Sequence, residues 1–351
     1  MIQEALKRIA LNENLSRAEA EAAMEQILSG HASQVQIVDL LSALRFKGET
    51  LDELVGFATV MRRHATPIKL THGTLSSEPL VDTCGTGGDA LGTFNVSTTA
   101  AFVVAGAGVR VAKHGNRSIS SRCGSADVLE QLRVRVDLSP VQVAQAIGEI
   151  GIGFLFAPAM HSATRHAMPA RRELGGRTVF NLLGPLTNPA GASAQVVGVY
   201  AANLTEMMAR ALGRLGGQRA FVVHGADGLD EISMSGETYI SELRDGEVRN
   251  YTVTPENFGL RSATLESIRG GDALENAEII HQILGRGLLS RVNGPRREIV
   301  LANAAAALVA AGAANDFPGG VKLAAESIDS GAAREKLEAL VAFSKAAQAF
   351  S

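Results

Sequence analysis

The chemistry this chain can offer is concentrated in a few short runs. Residues 82–98 read Asp-Thr-Cys-Gly-Thr-Gly-Gly-Asp-Ala-Leu-Gly-Thr-Phe-Asn-Val-Ser-Thr. Gly85, Gly87 and Gly88 remove the β-carbons that keep a ligand away from a backbone, and successive N–H groups in such a turn form a concave anion site. Asn95-Val96-Ser97-Thr98 then opens an alanine-rich helix, whose N-terminus carries partial positive charge. This combination suits a phosphorylated small molecule. It is not a P-loop, because no Gly-Lys-Ser/Thr follows, and not a dinucleotide fingerprint, because no third glycine stands three residues after Gly87. Taken alone, the run also reads as a tight strand-to-helix turn.

Further along, Lys113-His114-Gly115-Asn116-Arg117-Ser118-Ile119-Ser120-Ser121 follows the expected strand Val109–Ala112. Permanent cations, an imidazole, an amide and hydroxyls at the carboxyl end of a parallel strand would face the usual ligand crevice. A solvated polar turn is the other reading. Cys123-Gly124-Ser125 leads into another helix start at Ser125-Ala126-Asp127, so two strand–loop–helix units each present donors to an anion. Asp227-Gly228-Leu229-Asp230-Glu231 follows Phe221-Val222-Val223. On its own it is an acidic turn. Beside two anion-binding loops its carboxylates suit Mg²⁺, which takes few protein oxygens and completes its shell with water and phosphate. The window from His161 to Arg172 is rich in basic side chains, and an arginine there can fork onto a substrate carboxylate, although Arg172 itself reads as an exposed position. No Ser/His/Asp triad can be located.

The elements that must position these residues follow from periodicity and capping. Ser16 with Glu19 and Thr50 with Glu53 form capping boxes ahead of helices over Ala18–Leu28 and Leu54–Arg63, and apolar residues recur at helical spacing from Val35 to Leu44. Residues 66–79, with Pro67, Gly73 and Pro79, read as a linker. Beyond them, strands are expected at Val109–Ala112, Ile152–Phe156, Gln195–Val199 and Ala220–Val223. They alternate with helices at Thr98–Gly106, Ala126–Leu132, Pro140–Ile150 and Leu204–Leu215. That alternation predicts a mostly parallel, helix-covered sheet. Tyr239–Leu243 and Glu247–Val253 flank Asp245-Gly246, a hairpin signal. Phe180–Pro189 reads as an ordered loop, and two more helices are expected near Asn276–Arg286 and Pro295–Ala311.

With 351 residues, 46% hydrophobic and 20% charged, the chain has the composition of an ordinary globular protein of about two domains. A formal net charge of −3 and a pI near 6.3 provide no bulk attraction to nucleic acid. Cys84 and Cys123 lack metal spacing and make no disulfide framework, so a reducing cytoplasm is expected. No signal peptide is visible at Met1-Ile2-Gln3-Glu4-Ala5, and no apolar stretch reaches membrane-spanning length.

Several of these motifs, in order over nearly the whole chain, resemble the anthranilate phosphoribosyltransferase family of tryptophan biosynthesis. The matching residues are Gly85-Thr86-Gly87-Gly88-Asp89, Thr93 to Thr98, Lys113 to Arg117, Gly124 to Asp127, Arg171 to Thr178, Asn181 to Pro189, Asp227 to Glu231 and, near the N-terminus, Phe46-Lys47-Gly48-Glu49-Thr50. The resemblance implies transfer of a phosphoribosyl group from 5-phosphoribosyl 1-diphosphate to the amino group of anthranilate, the second step of the tryptophan branch from chorismate. It implies a small all-helical N-terminal domain, 1–70, and a larger α/β domain, 71–351, with a mostly parallel central sheet of the nucleoside phosphorylase/phosphoribosyltransferase kind. It also implies a homodimer through the helical domain, which a segment near 170–190 would join. No nucleic-acid or membrane partner is implied.

By the same resemblance, phosphoribosyl diphosphate would be held by Gly85, Gly88, Asp89, Thr93, Asn95, Val96, Ser97, Thr98, Lys113 and Ser125. The loop His114, Gly115, Asn116, Arg117, Ser118, Ile119, Ser120 and Ser121 would fold over it. Anthranilate would lie at Gly85, Asn116 and Arg171, and Mg²⁺, two ions per subunit, at Ser97, Asp230 and Glu231. No general base is assigned; His114 is the one candidate. Ala90, Ser162 and Ala170 stand where the family commonly has glycine, proline and valine, and none of the three removes a ligand-bearing side chain. A pyrimidine nucleoside phosphorylase shares the architecture but needs no metal pair. Inactive nucleic-acid-binding relatives would be expected to lose the glycine loop and gain a basic surface.

Overall fold

The computed structural model describes residues 1–70, 78–88, 91–118, 122–285 and 294–347. The chain begins with helices α1 (Ile2–Ala10), α2 (Arg17–Leu28), α3 (Gln34–Lys47) and α4 (Leu51–His64). Capping boxes at Ser16–Glu19, Ser33–Gln36 and Thr50–Glu53 start three of them, by satisfying N–H groups that have no partner inside the helix. Glu53 does more than cap. It is wholly buried and receives Lys47 Nζ at 3.0 Å and the Leu15 N–H at 2.9 Å, which locks the end of α3 to the start of α2.

The sheet begins with β1 (Leu80–Gly85). Next come α5 (Val96–Gly106), β2 (Arg110–Gly115), α6 (Ser125–Gln131), α7 (Pro140–Ile150) and β3 (Ile152–Phe156). Short helices α8 (Ala157–Met160), α9 (Met168–Leu174) and α10 (Val179–Leu186) lead to β4 (Ala194–Gly198), α11 (Thr205–Arg214) and β5 (Arg219–Gly225). The hairpin β6 (Thr238–Arg244) and β7 (Glu247–Val253) precedes α12 (Ala273–Leu284), α13 (Pro295–Ala310), α14 (Phe317–Asp329) and α15 (Ala332–Ala346). The seven-stranded sheet runs β3-β2-β1-β4-β5-β6-β7. β1 to β5 are mutually parallel, while β6 and β7 are antiparallel. Asp245 and Gly246 both have positive φ, 53° and 82°, as the tight hairpin turn requires.

Alternate residues of the strands feed different cores, as the two-residue period demands. Val196, Phe221 and Val223 pack with α5 and α13. Val197, Ala220 and Val222 share a second cluster with α10, α11 and the N-terminal helices. The helical segment therefore rests on one side of the sheet through α10 and α11.

Residues 180–189, expected as an ordered loop, instead contribute most of α10. Glycine, proline and asparagine punctuate the segment, but Val179, Phe180, Leu182, Leu183 and Leu186 are all buried, and burial overrides local propensity. Arg62 of α4 donates to the carbonyls of Leu186 (2.7 Å) and Leu215 (2.6 Å), supplying partners to the ends of α10 and α11. α14 and α15 lie beyond the helices expected from the pattern. No described helix is long and apolar enough to cross a membrane.

Candidate active site

The glycine loop leaves the carboxyl end of β1. Gly87 and Gly88 take φ of 65° and 85°, open to glycine at little cost. Neighbours on two sides hold the loop. The Thr86 N–H donates to the Gly198 carbonyl of β4 (2.9 Å), and Thr86 Oγ1 accepts from the Tyr200 N–H (3.2 Å). Asn181 of α10 donates to the Thr86 carbonyl at 3.3 Å. Arg177 donates to the Gly88 carbonyl and lies over the Tyr200 ring at 4.2 Å. Arg177 and Asn181 lie in stretches that resemble the family but have no expected site role, and Tyr200 lies in none of the motifs.

At the start of α5, Ser97 has its N–H on Glu231 Oε1 at 3.1 Å and its carbonyl on Thr83 Oγ1 at 2.9 Å. Asn95 does not cap the helix. Its amide donates to the Cys123 carbonyl (3.3 Å) and accepts from Asn276 Nδ2 (3.0 Å), tying the glycine loop to the exit of the second loop. Val96 and Thr98 are each 1% exposed, so anything they offer a ligand comes from the backbone. Thr93 forms an isolated bridge to Arg269.

On β2, Lys113 is buried and its Nζ donates to the Thr83 carbonyl and, at 3.4 Å, to Ser97 Oγ. Burial lowers its pKa, against the opposing pull of Asp82, Cys84 and Glu231. His114 is buried too. Its N–H donates to Asp82 Oδ1 (3.1 Å), Nδ1 faces the Gly184 carbonyl (3.2 Å), and its ring stands 5.1 Å from that of His161. Burial, with His161 adding to it, pushes His114 down to about 3, and burial pushes His161 to about 4, so both are neutral at pH 7. Asp82, which braces this strand, is itself fully buried and receives Asn188 Nδ2 at 2.8 Å; burial raises its pKa.

The second loop is cinched at its base. Asp127 Oδ2 accepts from the N–H groups of Ser118 and Gly124, each at 2.9 Å, and the Asn116 carbonyl accepts from Ala126 at 3.1 Å. A β-carbon on Gly115 would stand 2.8 Å from Ser125 Oγ. Arg117 points away from the glycine loop: it pairs with Glu130 at 2.6 Å and Asp127 at 3.3 Å and covers Phe156. Of the expected site residues, Asp89, Ile119, Ser120 and Ser121 lie outside the described residues, as does Ala90.

The acidic turn after β5 closes the arrangement. A β-carbon on Gly198 would fall onto the Asp230 carbonyl oxygen, and one on Gly85 would stand 3.2 Å from Asp230 Oδ2. Asp230 is thus seated over the ends of β1 and β4, while Glu231 reaches α5 at Ser97. Among the described residues no group of three or more His, Cys, Asp or Glu side chains is placed to hold a metal. The oxygen donors near these loops are the Asp230 carboxylate beside Gly85, the Glu231 carboxylate on the Ser97 N–H, and the Ser97 hydroxyl, which also receives Lys113 Nζ. That set fits Mg²⁺, a hard cation that keeps waters and binds through one or two carboxylates plus substrate phosphate, and it fits softer metals poorly.

Arg171 sits on α9, half-buried, with its guanidinium 5.1 Å from the Phe180 ring and Nη1 3.8 Å from Met168 Sδ. Burial lowers its pKa, and among the described residues no carboxylate pairs with it. Arg172 is exposed, as its sequence context suggested.

Comparison with known proteins matches the same regions. Residues 77–334 fit the model of the glycosyl transferase family α/β domain, and residues 3–65 that family's helical bundle domain. An anthranilate phosphoribosyltransferase of Syntrophobacter fumaroxidans is 57% identical over 98% of this chain and 99% of its own. The crystal structure of anthranilate phosphoribosyltransferase from Thermus thermophilus superposes with a TM-score of 0.89 at 45% identity, covering 97% of this chain and 99% of that one. The Saccharomyces cerevisiae enzyme in complex with PRPP and Mg gives 0.87 at 27% identity, covering 98% of both chains.

Proposed function

This chain belongs to the anthranilate phosphoribosyltransferase family, and from that premise we propose how its residues carry the family's reaction. The enzyme moves the 5-phosphoribosyl group of 5-phosphoribosyl 1-diphosphate to the amino group of anthranilate. The amine nitrogen forms a bond to C1 of the ribose, the bond from C1 to the diphosphate oxygen breaks, and pyrophosphate leaves with that electron pair. The amine then loses a proton to solvent.

The observation that carries the assignment is the meeting of three distant motifs at the carboxyl ends of parallel strands. Ser97 with Glu231, Lys113 with Ser97, and Gly85 with Asp230 are all neighbours. In our reading the glycine loop and the start of α5 cradle the phosphates, with the Lys113 amine beneath them. Gly85, Gly88, Thr93, Asn95, Ser97 and Ser125 would surround that position, Val96 and Thr98 by their backbones. By the family resemblance Asp89 and the stretch Asn116 to Ser121 would complete it, with Arg117 leaving Glu130 to do so and with His114 and Gly115 at the end of β2 supporting that stretch; Asn95 acts by holding its exit. Ser97, Asp230 and Glu231 would hold Mg²⁺, two ions per subunit. When bound, Mg²⁺ neutralises the charge that grows on a departing diphosphate.

Arg171 would fork onto the anthranilate carboxylate, with Asn116 and Gly85 bordering the ring. Anthranilate's amine is an uncharged aryl amine whose lone pair is available without a strong base. His114, held near 3, is too weak a base to keep a proton at neutral pH. We therefore assign the rate enhancement to positioning and to fixed donors aimed at the leaving group, with no side chain as general base.

The proposal extends to a homodimer through the helical segment 1–70, joined by residues near 170–190, with 71–351 as the transfer domain. The shared core of the N-terminal helices with α10 supports the second part. Thiols at Cys84 and Cys123 suit a reducing cytoplasm. The direct test mixes the protein with anthranilate, 5-phosphoribosyl 1-diphosphate and Mg²⁺ and follows loss of anthranilate fluorescence. Loss that depends on all three is expected; none, in protein shown to be folded, overturns the assignment.

A further inference from the structure

Asp230 and Glu231 occupy a turn between two buried apolar anchors, Leu229 and Ile232. Each end of the turn is held by a polar side chain that takes no part in the site described above. At the far end stands Asn303, 2% exposed in the middle of the alanine-rich helix α13. Its Oδ1 accepts from the Ile232 N–H at 3.0 Å, and its Nδ2 donates to the Ile232 carbonyl at 3.2 Å and to the Ile299 carbonyl at 2.9 Å. Both amide hydrogens and the oxygen are thereby used, and two of the three bonds grip the backbone of the residue that follows Glu231. A buried amide in an apolar helix is unfavourable unless its bonds are made; this one makes them on the acidic turn.

At the near end stands Asp227. Its Oδ1 accepts from the Leu229 N–H at 3.1 Å, and its Oδ2 accepts from the hydroxyls of Ser233 and Ser235. The Gly225 N–H reaches the Leu229 carbonyl at 2.8 Å, and the Ser233 N–H reaches Thr238 Oγ1 at 2.9 Å. The turn is bonded across its own mouth by Asp227 and to a separate helix by Asn303. Glu231 and Asp230 are carried between these grips towards Ser97 and Gly85.

We propose that Asn303 and Asp227 are positioning residues for the cation-holding pair. They set the backbone of residues 229–232 before substrate or metal arrives, so that the carboxylates need no rearrangement to share a cation with the diphosphate. Partners of this kind orient metal ligands without touching the metal. The inference rests on the assignment of Asp230 and Glu231 to Mg²⁺.

The test measures Mn²⁺ binding by the electron paramagnetic resonance of the free ion, with 5-phosphoribosyl 1-diphosphate present and anthranilate absent. Asn303→Ala and Asp227→Asn are each expected to weaken Mn²⁺ binding by roughly 10- to 100-fold, the usual effect of losing such a partner. Asn303→Asp, which keeps the oxygen facing the Ile232 N–H, falls in between. The anthranilate KM stays within about twofold, since uniform binding of that substrate is untouched. With both carboxylates replaced, in an Asp230→Asn, Glu231→Gln background, the Asn303→Ala change adds little, because it acts through carboxylates already removed. If Asn303→Ala does not fold by circular dichroism, Asp227→Asn and Asn303→Asp carry the test. Folded variants that bind Mn²⁺ as the parent does, while Glu231→Gln binds it weakly, overturn the positioning role alone. A Glu231→Gln protein with unchanged Mn²⁺ affinity overturns the cation assignment and this inference with it.

Discussion

Replacing Gly198 by alanine is the sharpest single probe of the site. Gly198 lies on β4, in register with Gly85 of β1 on one side and Val223 of β5 on the other, and its carbonyl receives the Thr86 N–H at 2.9 Å. The added methyl would fall on the Asp230 carbonyl oxygen and would also stand 3.3 Å from the Asp230 β-carbon. A central strand bonded on both sides cannot retreat, so the turn must. Restoring an ordinary nonbonded separation of roughly 3.5 Å displaces Asp230 by more than an ångström. Misplacement by about 1 Å costs on the order of 100-fold in rate, or about 2.7 kcal/mol of transition-state stabilisation. Overpacking adds about 1–3 kcal/mol of lost stability. The assay is anthranilate fluorescence at saturating substrates, repeated across a Mg²⁺ titration and paired with a thermal melt. kcat is expected to fall and the Mg²⁺ demand to rise, with the protein still folded. Gly148→Ala is the control: it is an exposed position on α7 with no atom within 4 Å of the new methyl, and it should gain up to about 1 kcal/mol with activity unchanged. A Gly198→Ala enzyme with parental kcat and Mg²⁺ dependence would refute the claim that Asp230 is seated against β4.

Other expectations follow from the same geometry. Arg171→Ala should raise the anthranilate KM by roughly 10- to 100-fold, the value of a charge-assisted hydrogen bond, with the phosphoribosyl diphosphate KM little changed; unaltered anthranilate kinetics would remove Arg171 from the site. Arg177→Ala releases the Gly88 carbonyl and the Tyr200 ring and should raise the phosphoribosyl diphosphate KM by about 5-fold, near the net worth of one hydrogen bond; steady-state kinetics with that substrate varied checks it. Burial holds His114 and His161 neutral down to about 3 and about 4, while both titrate near 6.5 when unfolded. The unfolded chain therefore binds more protons as pH falls below 6.5, and stability present above that value is lost on acidification towards pH 4, by up to about 1.4 kcal/mol per pH unit for each histidine. Urea melts at pH 7 and pH 5 should show the loss, and His161→Asn should reduce its slope; an identical slope would count against a buried neutral His161.

Much of this fold is legible in the sequence. The capping pairs at Ser16 and Thr50, the Pro140–Ile150 helix, the strand Ile152–Phe156 and the Asp245-Gly246 hairpin all stand where residue types placed them. Each depends on interactions between residues a few positions apart, so the local sequence suffices to specify it. The glycine loop and the acidic turn were visible for the same reason, as runs whose backbone needs or donor types are unusual in themselves. α10 escaped because its helix is made by burial against α4 and α11, which a pattern broken by Gly184 and Pro185 does not announce.

The sequence alone also determined the chemistry on offer: donors for phosphate, oxygens for a hard cation, a guanidinium for a carboxylate. Which of them meet was decided only by the tertiary structure. Ser97 and Glu231 are 134 residues apart and share a hydrogen bond, because the order β3-β2-β1-β4-β5 brings the carboxyl ends of β1 and β5 to either side of β4. Arg117, as basic as Lys113 and near it in sequence, turns instead to Glu130 on α6. Strand order and side-chain direction are set by the balance of long-range packing over the whole chain, and no short window of residues contains that balance.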